Sequence, residues 1–173
     1  MPSTTSSRNA AAPGPELDLP AIVAQCQADE ELMAALEELY GQVDRVAAAA
    51  GARCLGGGGC CKFDLAGHQL YATVAEVAFL TRGGPPHWGL NPPLKPDPQR
   101  ARRGRCPYQL GPRCLAYPRR PLGCRIFFCR ARDRPFLEAA GEWFHRRIAA
   151  LHERRCVPYV YAELGQILLQ LLS

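Results

Sequence analysis

Residues 54–61 run Cys-Leu-Gly-Gly-Gly-Gly-Cys-Cys, and this run limits the fold more than any other part of the chain. Four consecutive glycines leave the backbone too much freedom for a stable helix or strand, so the segment must be a loop. That freedom suits a turn wrapped tightly around something. A second irregular stretch, 106–129, sets Cys106, Cys114, Cys124 and Cys129 among prolines and glycines. Two such loops need regular structure around them, and hydrophobic periodicity predicts it as helices.

In 17–50, Leu17, Leu19, Ile22, Val23, Leu32, Leu36, Leu39 and Val43 recur at helical spacing. Pro20 falls where a first turn tolerates it, and Gly51 is placed to end the run. Residues 62–72 alternate briefly, predicting a short strand. Thr73-Val74-Ala75-Glu76 is a capping box, predicting a short helix to about Thr81. Residues 83–105 hold six prolines and read as a long irregular loop. Phe136, Leu137, Trp143, Phe144, Ile148 and Leu151 predict a second long helix from Arg134 to Arg155. Pro158 interrupts it, and 159–172 predict a final helix. Residues 1–15 lack large apolar groups and read as a disordered tail. The expected fold class is mainly α: a small helical domain over 16–173 with two irregular metal-binding cysteine loops and little β structure.

No apolar run reaches the roughly 18 residues of a membrane span, so no membrane partner is expected. The first twenty residues lack the apolar core of a secretory signal, and a cytoplasmic location is expected. In a reducing compartment clustered cysteines more often bind metal than form disulfides, and the nine cysteines are an odd count. Thiolates hold zinc and iron–sulfur clusters, four per simple site. The candidate ligands are Cys54, Cys60, Cys61, Cys106, Cys114, Cys124 and Cys129. Seven exceed one simple site, leaving room for a second metal, a bridged cluster or spare redox thiols. The vicinal pair Cys60-Cys61 cannot easily place both sulfurs on one metal. Cys26 and Cys156 lie outside both loops and are expected to be small buried hydrophobes.

These residues carry a resemblance. CLGGGGCC at 54–61, followed by CPYQLGPRCLAYPRRPLGCRIFFC at 106–129, resembles the bacterial YkgJ-like cysteine-cluster family, a zinc- or iron-chelating CxxCxxCC domain. Cys106-Pro107-Tyr108, Cys114, Arg120-Pro121-Leu122 and Cys124-Arg125 match its second cluster in order. The likeness covers about residues 52–130. Gly57 stands where the name-giving motif has a further cysteine, and Cys129 is the expected substitute. The resemblance implies metal chelation, and a flagellin lysine methylase is among the proteins similar in this region.

Residues 100–134 hold eleven arginines against Asp133 alone, a local net charge of +10. A nucleic-acid surface is one reading of such a belt. Compensation of thiolate charge and pairing with the acidic 17–50 segment is the favoured one, since no nucleic-acid module accompanies the arginines. His68 follows Cys61 closely enough to reach the same site, His87 lies in the proline-rich loop, and His145 and His152 share a helix face; none is expected to be a ligand. Enzyme fingerprints for nucleotides, acyl transfer or zinc peptidases are absent.

The expected function is metal binding through clustered cysteines, with an iron–sulfur cluster as first choice and Zn2+ as second. Electron transfer and metal handling are the roles in view, served by an unidentified protein or redox partner. The alternatives are a metal-dependent protein-modifying enzyme of methylase type and a zinc-stabilised adaptor that binds an acidic partner through its arginine belt.

Overall fold

The long acidic segment is two helices, not one. The computed structural model describes residues 17–55, 57–67, 69–82, 96–128 and 131–172. Helix α1 spans Leu19–Ala28 and α2 spans Glu30–Ala49. Asp18 caps α1 by accepting from the Ala21 N–H at 3.0 Å, with Pro20 in the first turn. Asp29 ends α1 and caps α2 in the same way, through the Leu32 N–H at 3.0 Å. Arg155 grips Asp29 from across the molecule with Nε at 2.7 Å and Nη2 at 2.9 Å. The break therefore has a local cause and a tertiary brace.

Beyond the glycine run, a 3-10 turn at Gly59–Cys61 enters the single-turn helix α3, Phe63–Ala66. The strand expected in 62–72 is confined to β1, Tyr71–Thr73, which feeds α4, Val74–Thr81. Both halves of the predicted capping box are made: the Glu76 N–H donates to Thr73 Oγ1 at 3.3 Å, and the Thr73 N–H donates to Glu76 Oε2 at 2.8 Å. Within the expected loop 83–105, Asp97 and Pro98 start a short helix α5, Pro98–Arg102. Residues 83–95 of that loop, and the expected tail at 1–15, lie outside the described residues.

A two-stranded hairpin follows, β2 Gln109–Leu110 with β3 Arg113–Cys114, then a 3-10 turn at Tyr117–Arg119 and helix α6, Leu122–Ile126. Helix α7, Arg134–Arg154, matches its predicted bounds closely. The final segment differs from expectation. It opens as strand β4, Tyr161–Glu163, before helix α8, Leu164–Leu172. β4 pairs antiparallel with β1, Tyr71 opposite Glu163 and Thr73 opposite Tyr161. The ladder extends symmetrically, Val74 N–H to Val160 O at 3.0 Å and Leu164 N–H to Leu70 O at 2.8 Å. The ladder is thus centred on Ala72 opposite Ala162, and extended backbone from 161 to 163 satisfies the β1 edge.

Helix α4 is buried from Val74 to Leu80, as a helix surrounded by others must be. Leu19, Ile22, Val23 and Cys26 of α1 and Leu164, Ile167 and Leu168 of α8 pack into this core. So do Leu36, Tyr40 and Val43 of α2 and Phe144, Ile148 and Leu151 of α7. Cys26 is a buried core residue, as expected, with no exposed surface. Cys156 is not: it is exposed, at a turn with φ +51° just after α7. The architecture is mainly helical, and among the described residues no helix is long and apolar enough to cross a membrane.

His152 on α7 makes the fold sensitive to acid. It is 1% exposed, with Nδ1 3.1 Å from the Pro158 carbonyl oxygen and no partner for Nε2 among the described residues. Burial holds its imidazole below the ordinary histidine value, and His145 adds repulsion. The unfolded chain therefore takes the proton more readily than the folded one. Stability is whole above the unfolded value of about 6.5 and declines as pH falls below it. Urea midpoints measured from pH 7 to pH 5 fall in the native chain, and His152→Leu flattens that slope. Equal slopes in the two proteins refute the assignment.

Candidate metal centre

The two cysteine loops are joined edge to edge. Lys62 and Arg105 form an isolated antiparallel bridge, and the Cys106 N–H donates to the Cys61 carbonyl at 2.9 Å. Gln109 then ties the glycine run down, its Nε2 donating to Gly58 O at 3.0 Å and to Gly111 O at 3.1 Å. Glycine is required at 58: its φ is +65°, and an added Cβ would lie 2.4 Å from Gln109 Nε2.

Helix α6 delivers Cys124, and a buried polar network sets its position. The Glu76 carboxyl, 1% exposed, uses Oε1 to accept from the Leu122 N–H at 2.8 Å and the Tyr40 hydroxyl at 3.2 Å. One side chain thus caps α4, anchors to α2 and satisfies the first turn of α6. Arg125, 3% exposed, lies 4.3 Å over the Tyr40 ring and pairs with Asp44 of α2 at 2.6 Å. It also donates to the carbonyls of Arg120, at 2.7 Å, and Pro118. The Arg-Pro-Leu-Gly-Cys-Arg run is therefore folded around its own second arginine.

The result is one cavity of about 510 Å³ lined by Cys54, Cys60, Cys61, Cys106, Cys114 and Cys124. Six of the seven sequence candidates come together, from loops more than forty residues apart in the chain. Cys129, His68 and His87 lie outside the described residues. His145, bonded to the Tyr159 hydroxyl at 2.8 Å, and the buried His152 do not line the cavity. Phe63, Leu70, Phe127 and Phe128 complete its apolar walls.

Cys60, Cys61 and Cys106 are neighbours whose thiols interact. The interaction with Cys61, and then burial, holds Cys60 well above the ordinary thiol range. Cys61 is pushed up to about 12, chiefly by its interaction with Cys106, while the interaction with Cys60 acts the other way. Burial raises Cys114 and Cys124, and the Arg120 guanidinium opposes it at both. Cys60, Cys61, Cys114 and Cys124 thus hold their protons more firmly than free thiols, so a cation binding there must displace them. As the side chains stand, no three His, Cys, Asp or Glu among the described residues are arranged to hold one metal ion. A bound metal would have to draw the sulfurs inward, and the glycine run gives one wall that latitude.

Sequence reasoning found the cysteines but not Glu76 or Arg125 as their supports. Glu76 was legible only as half a capping box. Arg125 was legible only as part of the motif and the belt. No known protein family, curated protein or solved structure matches the chain.

Proposed function

We propose that this cavity holds an iron–sulfur cluster, with zinc as the second choice. The observation that carries the reading is the convergence of six cysteines, from two loops, on one largely apolar cavity. Sulfur donors in a largely apolar pocket suit soft metals and clusters. Six thiols exceed the four that one zinc takes, which favours a cluster over one zinc. Arg120, on the cavity wall, offsets the charge that thiolate ligation leaves. The motif resemblance to the YkgJ-like family points the same way. Ligands would be drawn from Cys54, Cys60, Cys61, Cys106, Cys114 and Cys124, with Cys129 a further candidate by sequence. A bound cluster would supply one-electron transfer, and electron transfer or metal handling would be the role in a cytoplasmic setting. The apolar walls could also admit a substrate beside the metal, which keeps a metal-dependent modifying enzyme as the second reading.

The deciding experiment is anaerobic purification followed by iron, zinc and acid-labile sulfide analysis per chain. Iron with matching sulfide is expected. Zinc without sulfide replaces the first choice by the second. Neither metal, even after anaerobic reconstitution with iron, sulfide or zinc, overturns the proposal.

A further inference from the structure

The mouth of the thiol cavity differs from its floor. Leu110, Tyr117 and Phe127 line it, and each is 42% exposed. Large apolar side chains grouped at the surface beside a cavity mark a contact face. Arg113 and Arg120 share the same lining, and no Asp or Glu does among the described residues. Arg120 is fixed in place: its Cζ sits 3.6 Å over the Tyr117 ring, Nε donates to Tyr117 O at 2.9 Å, and Nη1 donates to Cys124 O at 3.3 Å. A guanidinium stacked on an aromatic ring is preorganised to receive a carboxylate. Arg113 on β3 is exposed and makes no ion pair among the described residues.

Three other arginines of the same stretch take carboxylates from within the chain. Arg125 has Asp44 at 2.6 Å, Arg105 has Asp64 at 3.4 Å, and Arg100 has Asp97 at 3.6 Å. At the cavity mouth none is supplied among the described residues. We infer that the mouth is a docking surface for an acidic protein segment carrying one aromatic or aliphatic side chain. Its carboxylates meet Arg113 and Arg120, and its apolar side chain covers Leu110, Tyr117 and Phe127. A nucleic acid would answer the charge, but Leu110 and Phe127 at the rim call for a side-chain anchor. The inference names the partner class for the cavity of the proposed function. It rests on the mouth and not on what the cysteines hold.

The test uses the full chain as purified and fluorescein-labelled probes: a dodecapeptide of glutamates around a central phenylalanine, the same peptide with glutamines, a version with serine for phenylalanine, and a thymidine dodecamer. The glutamate–phenylalanine peptide is expected to bind best and to weaken with added salt. Arg113→Glu is expected to weaken it about tenfold. Leu110→Ser is expected to weaken the phenylalanine peptide and leave the serine peptide unchanged. Equal binding of the glutamine peptide, equal or tighter binding of the oligonucleotide, no binding of any probe, or indifference to Arg113→Glu overturns the inference. Metal content is measured on each preparation. Peptide binding by a chain that takes up no metal upholds the docking surface while the metal reading fails, and the reverse result separates them the other way.

Discussion

Glu76→Leu lowers the unfolding free energy by about 4 kcal/mol, the sum of several buried polar groups left without partners at roughly 1–3 kcal/mol each, partly offset by the added apolar contact. The leucine fits a buried helix position but cannot accept hydrogen bonds. It strands the Thr73 and Leu122 N–H groups, which now meet Glu76 at 2.8 Å, and it leaves the Tyr40 hydroxyl unanswered. A domain holds only about 5–15 kcal/mol in total, so the variant sits near the edge of stability. Glu76→Gln separates the roles. Its amide oxygen still serves Leu122 and Tyr40, but its NH2 faces the Thr73 N–H, so an intermediate loss of about 2 kcal/mol is expected. Urea denaturation of the three proteins gives the ordering. A leucine variant as stable as the native chain would show that the carboxyl network does not hold α6 in place.

That network also marks where the sequence stops being legible. The Thr73 and Glu76 pattern announced a helix start, and both hydrogen bonds of the box are present, because a capping box is settled within four residues. The other oxygen of the same glutamate is committed to Leu122, 46 residues along the chain, and no local pattern reports that. The break at Asp29 was hidden for a related reason. Both α1 and α2 turn apolar faces to one core, so hydrophobic spacing runs on through the cap. Strand β4 was missed because its partner β1 lies far off in sequence and its residues, Tyr161 to Glu163, are equally acceptable in a helix. Cys156 was misplaced because chain position was taken as a guide to burial, whereas the turn after α7 faces it outward.

The cysteines themselves were easier. Their grouping on glycine- and proline-rich loops is local information, and it selected six residues that share a cavity. Which sulfurs meet was not readable, since the contact of Cys61 with Cys106 depends on the bridge between Lys62 and Arg105. The arginine belt was legible as charge but not as structure. One member, Arg125, is a buried scaffold residue paired with acidic α2, and others line the cavity mouth.

Cys124→Ser should abolish metal retention while Cys26→Ser leaves metal stoichiometry intact. A serine hydroxyl stays protonated at neutral pH and is a poor ligand for soft metals, so the substitution removes a donor with little change in volume. Structural metal sites are worth about 10–16 kcal/mol in small domains, so one ligand of four carries a few kcal/mol, or about a hundredfold or more in affinity. On the proposed metal reading, loop ordering is coupled to metal binding, so the same variant should gain trypsin cleavage after Arg113 and Arg119. Cys26 provides the contrast. It sits in the core on α1 with no exposed surface, away from the cavity, and burial raises its thiol to about 11. Replacing it should lower stability by about 1 kcal/mol, as burying a hydroxyl in an apolar site does, without touching metal content. Metal retained by Cys124→Ser removes Cys124 from the ligand set. Metal lost from Cys26→Ser shows instead that the core on which the loops rest, not the sulfur count, governs loading. The pair therefore distinguishes a ligand from a support, a distinction that the clustering of thiols around one cavity cannot make by itself.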